Sequence, residues 1–598
     1  MRLHLLHKTC SPFVKIPCQG VFVSDSTVEA NVLHQTATSL IHAQNVENQN
    51  IQHPPVMQKE HQQSPTTRNI HKLCDIDYNL LDNLLIGYDS RSRKFLYRGL
   101  RYGFKLHSTI TPSDLIVPKN HRSALQNKDV IRTKIDKELS LNYISGPFEN
   151  PPFDHMKISP IGLVPKKEAG AFRVIHDLSF PKGNSVNDFI SRTYAAVQYE
   201  TFDDFINLLL QLPPGALMAK ADIKSAFRIL PVHPSDYHLL GFSWENNLYY
   251  DRRLPMGASS SCSNFEEFSQ SLQWILQKYG IKWVSHILDD FMFLGGPGSH
   301  ICKSSLQFFL QLMVALGVPI NHGKTVHPST NIIVHGIEVD SIARQALLPV
   351  DKIEKASMKL KEMRDRKSIT LRQLQSLLGL LNFACRVIKP GRAFLRRLIF
   401  LTIGIKEPHH FVRITAEARK DIDIWLLFLT DFNGISILME EKWLTSPHLN
   451  LYTDSAVTKG FGAVFGSLWT YGSWEESIQY NITILEMYPI LLALYLWGKK
   501  LQNAWVIFHS DNMAVVDILN KQSSKEPTIM ILVRKFVLLC LQLNINFRLQ
   551  HIPGAKNIIP DFLSRFQIQE ARRLAPHLQD HPAHITLKWR LSSLLQDH

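Results

Sequence analysis

The chain has 598 residues, enough for several folded domains, and 45% of them are hydrophobic, as in an ordinary globular protein. A formal charge of +14 favours a polyanionic partner. Seven cysteines with neither paired spacing nor a C-x-x-C argue against a disulfide scaffold; no apolar run reads as long enough to span a bilayer, and Met1 to His7 is too short and polar for a signal peptide. The expectation is an intracellular protein of cytoplasm or nucleus with no membrane partner.

Residues 1–72 are rich in Gln, Asn, His, Ser and Thr with few clustered aliphatics, which predicts a disordered arm. Leucines and aromatics gather from Asp75 to Ser108 (Leu80, Leu81, Leu84, Leu85, Tyr97, Phe104), so folding is expected to begin there. Ser159 to Leu178 reads as two strands joined by a glycine-containing turn, with Lys166, Lys167 and Arg173 on the hairpin. Such a set suits a triphosphate, although a solvated basic hairpin is the plainer reading.

Ala216 to Asp222 reads as a strand ending on a carboxylate, and Phe227 follows as a ring that by default packs in a core. Leu254-Pro-Met-Gly257 leads through small residues into the apolar helix pattern of Phe265, Phe268, Leu272 and Ile275. The glycine suits close approach of a helix N-terminus to a template or nucleotide; an ordinary serine-capped start fits as well. In His286 to Gly295, the adjacent Asp289 and Asp290 lie between two runs of β-formers. This predicts strand, tight turn, strand, with both carboxylates at the turn. Adjacent acids repel unless a cation lies between them. With Asp222 they supply three carboxylates at strand ends, a set able to hold two Mg²⁺ ions; a solvated Asp-Asp turn is the alternative.

Ser305 to Leu316 predicts an amphipathic helix ended at Gly317, Lys324 reads alone as a surface charge, and Val334 to Val339 reads as one short strand. From Val350 the pattern is helical, with Ile353, Ala356, Leu360 and Met363 on one face. Thr370 and Gln373 form a capping box ahead of a stripe of Leu371, Leu374, Leu377, Leu378 and Leu381. Arg392, Arg396 and Arg397 follow as candidate contacts to a nucleic-acid backbone.

A second acidic set closes the chain. Leu449 to Asp454 and Trp505 to Asp511 read as strands ending on aspartates, Glu486 opens an apolar helix with Pro489 in its first turn, and His551 to Asp561 leads into Phe562. Singly, each acid reads as a cap or surface charge. Together, in the order strand, helix, strand, loop-helix, they point to a second two-metal site.

Both constellations together resemble the reverse transcriptase and ribonuclease H of retroelement polyproteins, over roughly residues 120–570. The resemblance implies an α+β right-hand polymerase (fingers, palm, thumb) followed by an α/β RNase H-like domain. The implied boundaries are 73–340 for fingers and palm, 341–440 for a helical thumb or connection, 441–568 for the RNase H-like domain and 569–598 for a tail. It casts Asp222, Asp289 and Asp290 as the polymerase metal triad and Phe227 as the steric gate against a ribose 2′-OH. Lys166 and Arg173 match triphosphate contacts, and Lys324 a lysine on the pyrophosphate side. Asp454, Glu486, Asp511 and Asp561 match the RNase H tetrad, with His551 as its mobile histidine and Asn557 as a nearby asparagine. Two Mg²⁺ (or Mn²⁺) ions per site, an RNA template, a DNA primer, deoxynucleoside triphosphates and an RNA–DNA hybrid are the implied cofactors and partners. Ala221 to Arg228, Gln375 to Ala384 and Pro390 to Arg397 look most like DIRS-type elements, and the tail from Gln567 resembles the linker before a recombinase. Ile287 stands where the polymerase motif has Tyr, and Met256 where many relatives have Gln. A decayed or host-adopted binding protein is the rival reading; retention of all seven carboxylates argues against it.

Overall fold

The computed structural model describes residues 73–111, 115–166, 170–431, 435–437, 443–475, 480–502, 504–543 and 545–596. The arm predicted over 1–72 and Lys167 lie outside the described residues. The chain divides into two compact units, Met1–Leu208 with Ala216–Ser329, and Leu209–Gly215 with Thr330–His598.

In the first unit, β1 (Ile161–Pro165) and β2 (Phe172–His176) form the expected basic hairpin. It shares a core with a three-stranded antiparallel sheet of Ile144–Phe148, Asn247–Asp251 and Gly241–Trp244. The central sheet is antiparallel. It contains β3 (Leu217–Asp222), β4 (Val284–Ile287), β5 (Asp290–Gly295) and β6 (Val326–Ser329), in the order β4-β5-β3-β6. Helices Ser261–Lys278 (α1) and Ile301–Leu316 (α2) pack on it. Strand alternation decides the faces. Ala219 and Ala221 pair with Phe293 and Phe291, small opposite large, and pack with Phe265, Phe268, Leu272 and Phe309 of the helices. The intervening residues Lys220, Asp222 and Asp290 therefore share the opposite face. This antiparallel sheet, with helices on one face and carboxylates on the other, lies where the resemblance leads one to expect a palm.

The second unit begins with a four-stranded sheet. The stretch expected as one strand over 334–339 is instead the turn of a hairpin, β7 (Asn331–Val334) and β8 (Ile337–Asp340), because Gly336 at φ 79 and His335 at φ 49 reverse the chain. Gln345–Leu347 and Ile435–Ile437 complete that sheet. Helices α3 (Val350–Asp365), α4 (Leu371–Ala384) and α5 (Ala416–Asp431) follow, and the Thr370 capping box forms as predicted.

An α/β fold completes the unit, in the region where the resemblance leads one to expect an RNase H-like domain. Strands β9 (Leu451–Ala456), β10 (Gly460–Phe465) and β11 (Leu468–Ser473) form an antiparallel meander. Helix α6 (Ile482–Trp497) leads to β12 (Trp505–Ser510). Helix α7 (Pro527–Gln542) then leads to β13 (Asn546–His551), which runs parallel to β12, and the short helix α8 (Ile558–Ser564) follows. Two expectations are corrected here. Asn481 caps α6, so Glu486 lies within the helix and Pro489 is interior, not in the first turn. The helical stretch Ile482–Leu501 has the length and apolarity to cross a bilayer, contrary to the reading that no run did. Its most apolar window is 78% buried because it is the core helix, covered on nearly every side.

Candidate active sites

The palm acids are placed by the register of β3 and β5, in which Asp222 and Asp290 are direct cross-strand partners. Ile287 pairs with Asp290, leaving a two-residue turn of Leu288 and Asp289. Asp289 thus lies at the turn as predicted, whereas Asp290 opens the following strand. Leu288 takes φ 51, a left-handed conformation unfavourable for a residue with a Cβ. Burial, then the charge of Asp290 beside it, pushes the Asp289 carboxyl up to about 6. Two lysines hold the other acids: Lys324 Nζ lies 2.9 Å from Asp222 Oδ1, and Lys220 Nζ lies 2.9 Å from Asp290 Oδ2. Lys220 was not singled out in the sequence, although its spacing of two from Asp222 puts it on the same face.

The remaining palm and fingers candidates take different positions. Phe227 is half-buried, and its ring meets Phe265 edge-on at 5.4 Å. Lys166 and Arg173 are exposed on the β1–β2 hairpin, and among the described residues neither has a carboxylate partner. Gly257 is required by packing: a Cβ there would meet the His176 carbonyl oxygen at 2.0 Å. Met256 beside it is exposed.

In the second unit Asp454, on β9, lies across from Gly462 on β10. A Cβ on Gly462 would meet Leu563 Cβ at 2.6 Å, so the glycine lets α8 rest directly on the sheet. That approach brings Ser564 Oγ to donate to Asp454 Oδ2 at 2.8 Å and Asn557 Nδ2 to donate to Oδ1 at 3.2 Å. Helix α6 brings in Glu486, and Asp511 follows β12. One oxygen from each of Asp454, Glu486 and Asp511 lies within 4.8 Å of the others, the only such group of acids found among the described residues. Burial, then the charges of Asp511 and Asp454, pushes Glu486 up to about 9. Burial likewise raises Asp454 to about 6, against the opposing bond from Ser564. Asp561 is not gathered with these three and pairs with Arg565 Nε at 2.8 Å. His551 is exposed, with Nε2 3.1 Å from the Asp511 carbonyl oxygen. Ser564 and Arg565 were legible only as neighbours of Asp561.

No family model matches the chain. It is 30% identical to Protein P of Duck hepatitis B virus (strain China) over 131 residues, 22% of this chain and 16% of that protein. It is 26% identical to the Gag-Pol polyprotein of Walleye dermal sarcoma virus over 208 residues, 31% of this chain and 11% of the relative. With the Transposon Tf2-3 polyprotein of Schizosaccharomyces pombe it shares 22% identity over 429 residues, 68% of this chain and 29% of the relative. The chain therefore spans less than a third of each of these relatives. Among solved structures, foamy viral protease-reverse transcriptase dRH in complex with ds DNA aligns at a TM-score of 0.44 and 16% identity, covering 82% of this chain and 84% of that one. Foamy viral protease-reverse transcriptase in complex with RNA/DNA hybrid aligns at a TM-score of 0.42 and 16% identity, covering 86% of this chain and 65% of that one. By its sequence relatives this chain is similar to the reverse-transcriptase-bearing polyproteins of retroelements.

Proposed function

We propose that the chain is an RNA-directed DNA polymerase with RNase H activity, working through two separate sites. The observation that carries this reading is that Asp454, Glu486 and Asp511, far apart in sequence, gather within 4.8 Å in one unit, while in the other Asp222 and Asp290 are cross-strand neighbours beside the Asp289 turn. The donors are carboxylate oxygens, and three of them are raised by burial and mutual repulsion, the environment a hard divalent cation relieves. Asp222, Asp289 and Asp290 would hold Mg²⁺ or Mn²⁺ in the palm; Asp454, Glu486 and Asp511, with Asp561 released from Arg565, would hold it in the RNase H-like domain. Bound there in pairs, the ions supply nucleophile activation and charge neutralisation.

The chain's own residues do the rest. Asp222 and Asp290 fix the spacing across which a primer 3′-OH and a triphosphate face each other. Lys166, Arg173 and Lys324 offer cations to the phosphates, and the turn at Gly257 holds the fingers hairpin against the helix start. Phe227 limits the space under the incoming sugar. In the second site Ser564 and Asn557 orient Asp454, and His551 is placed to handle a proton or product at the Asp511 edge. The partners on this reading are an RNA template, a DNA primer, deoxynucleoside triphosphates and an RNA–DNA hybrid, the last recognised by its A-like shape and 2′-OH groups. We assign fingers and palm to 73–340, thumb or connection to 341–440, the RNase H-like domain to 441–568 and a tail to 569–598. The segments around Asp222, Gln375 and Arg392 support a DIRS-type origin.

The test is extension of a DNA primer on an RNA template with Mg²⁺ or Mn²⁺, run beside cleavage of a labelled hybrid. Metal-dependent activity in both assays supports the reading. Binding of nucleic acid with neither activity supports the decayed, host-adopted copy instead.

A further inference from the structure

Behind the Leu288–Asp289 turn lies a buried polar cluster that the proposed chemistry does not use. Glu266 projects from α1 with a side chain only 3% exposed, and its two oxygens point at the catalytic hairpin. The Leu288 N–H donates to Oε2 at 3.3 Å, and His286 Nε2 lies 3.2 Å from Oε1. The other ring nitrogen of His286 meets Gln273 Oε1, so both face acceptors, and the ring stacks on Phe291 at 5.1 Å. Gln273 Nε2 donates to Glu200 Oε1 at 2.7 Å, while Glu200 Oε2 accepts from the His286 N–H at 3.2 Å and from Ser285 Oγ. The cluster thus ties α1 and Glu200 to β4 and to the turn that follows it.

We propose that Glu266 is a positioning residue for Asp289. This role rests on the polymerase reading and deepens it. Leu288 adopts a left-handed conformation, and Asp289 is repelled by Asp290; both drive the turn to relax. Within this cluster, Glu266 supplies the hydrogen bond to the turn's own backbone, made in a buried site where a polar contact counts for more than in water. A carboxylate is needed because one oxygen serves Leu288 while the other serves His286; glutamine has a single acceptor and can serve one of them. Loosening the turn moves the Asp289 carboxylate relative to Asp222 and Asp290. The first quantity to suffer is the affinity of the palm for its cation, followed by turnover, with nucleotide affinity largely spared.

The experiment is steady-state primer extension with the full chain on an RNA template, titrating Mg²⁺ and the nucleotide separately for parent, Glu266→Gln, Glu266→Ala and Asp289→Asn. For Glu266→Ala we expect kcat to fall and the half-saturating Mg²⁺ to rise, together on the order of 10- to 100-fold, the usual effect of losing a residue that orients a metal ligand. KM for the nucleotide should stay within about twofold, and Glu266→Gln should fall between Ala and parent. A parent-like kcat and Mg²⁺ requirement in Glu266→Ala overturns the inference. So does a lower kcat with an unchanged Mg²⁺ requirement, which marks a smaller folded fraction. Should the Ala variant fail to fold by circular dichroism, Glu266→Gln decides: a Mg²⁺ requirement equal to the parent's overturns the inference. A parent that extends nothing overturns the polymerase reading instead, and this inference with it.

Discussion

Burial, then the charges of Asp511 and Asp454, raises the Glu486 carboxyl. Its folded value of about 9 lies above the ordinary 4.5, so the folded chain keeps a proton that the unfolded chain releases. Its contribution to metal-free stability is full below about 4.5 and is lost as pH rises toward 9. In chelator, the parent's thermal midpoint should fall more steeply between about pH 6 and about pH 8.5 than that of Glu486→Gln, which should be the more stable at the alkaline end. Parallel slopes would show that Glu486 is already charged. Phe227 offers a second residue-scale test. Phe227→Ala should weaken the deoxy-over-ribo preference by on the order of tenfold, read in single-nucleotide kinetics, and an unchanged preference makes the ring core packing alone. At this scale the sequence exposed the acids, because each ends or follows a run of strand or helix pattern. It did not expose the groups that hold them. Lys220, Ser564 and Glu266 act on residues 70, 110 and 22 positions away, and spacing carries no such information.

Elements were legible where one periodicity held. The runs of β-formers in β3 and β5 came through although both strands are buried on both faces, and the leucine stripe of α4 because it buries a single face. Reading failed at α6, where apolar residues surround the helix and leave no stripe to count, and where Pro489 suggested a start. The tail was read as a linker, yet it straps the edge of the meander. The Ala583 N–H donates to the Trp469 carbonyl at 2.7 Å, Trp469 Nε1 donates to the Gln579 carbonyl at 2.7 Å, and Leu578, Leu591 and Leu594 are buried. At about 1.5–3 kcal/mol for each buried leucine, deleting residues 575–598 should destabilise the second unit by on the order of 5 kcal/mol, seen as a lower urea midpoint. An unchanged midpoint would make the strap ornamental. Asp421, 1% exposed on α5, pairs with Arg397 at 3.2 Å and with Arg534 of α7 at 3.4 Å. Asp421→Ala leaves two buried cations facing each other and should cost about 3–5 kcal/mol in the same measurement. A loss below about 1 kcal/mol would mean that water reaches the pair.

Across the whole molecule the proposed function sets two chemistries on two separate acid clusters in one chain. The order of motifs made the pairing of a polymerase with an RNase H-like domain legible, because each domain's acids fall in a fixed sequence of strands and helices. The support around those acids was not legible; Gly462 admits α8, whose Ser564 bonds Asp454, and the two-residue turn at Leu288 places Asp289. The most direct measurement is a paired assay on matched preparations of the parent, Asp289→Asn and Asp511→Asn, following primer extension and hybrid cleavage with Mg²⁺ in the same tube. Asparagine keeps the shape of each ligand and removes its charge. Asp289→Asn should lose extension by at least about a hundredfold and cleave like the parent, while Asp511→Asn should extend like the parent and lose cleavage by a similar factor. Loss of both activities in either variant, or of neither, would contradict two separate sites.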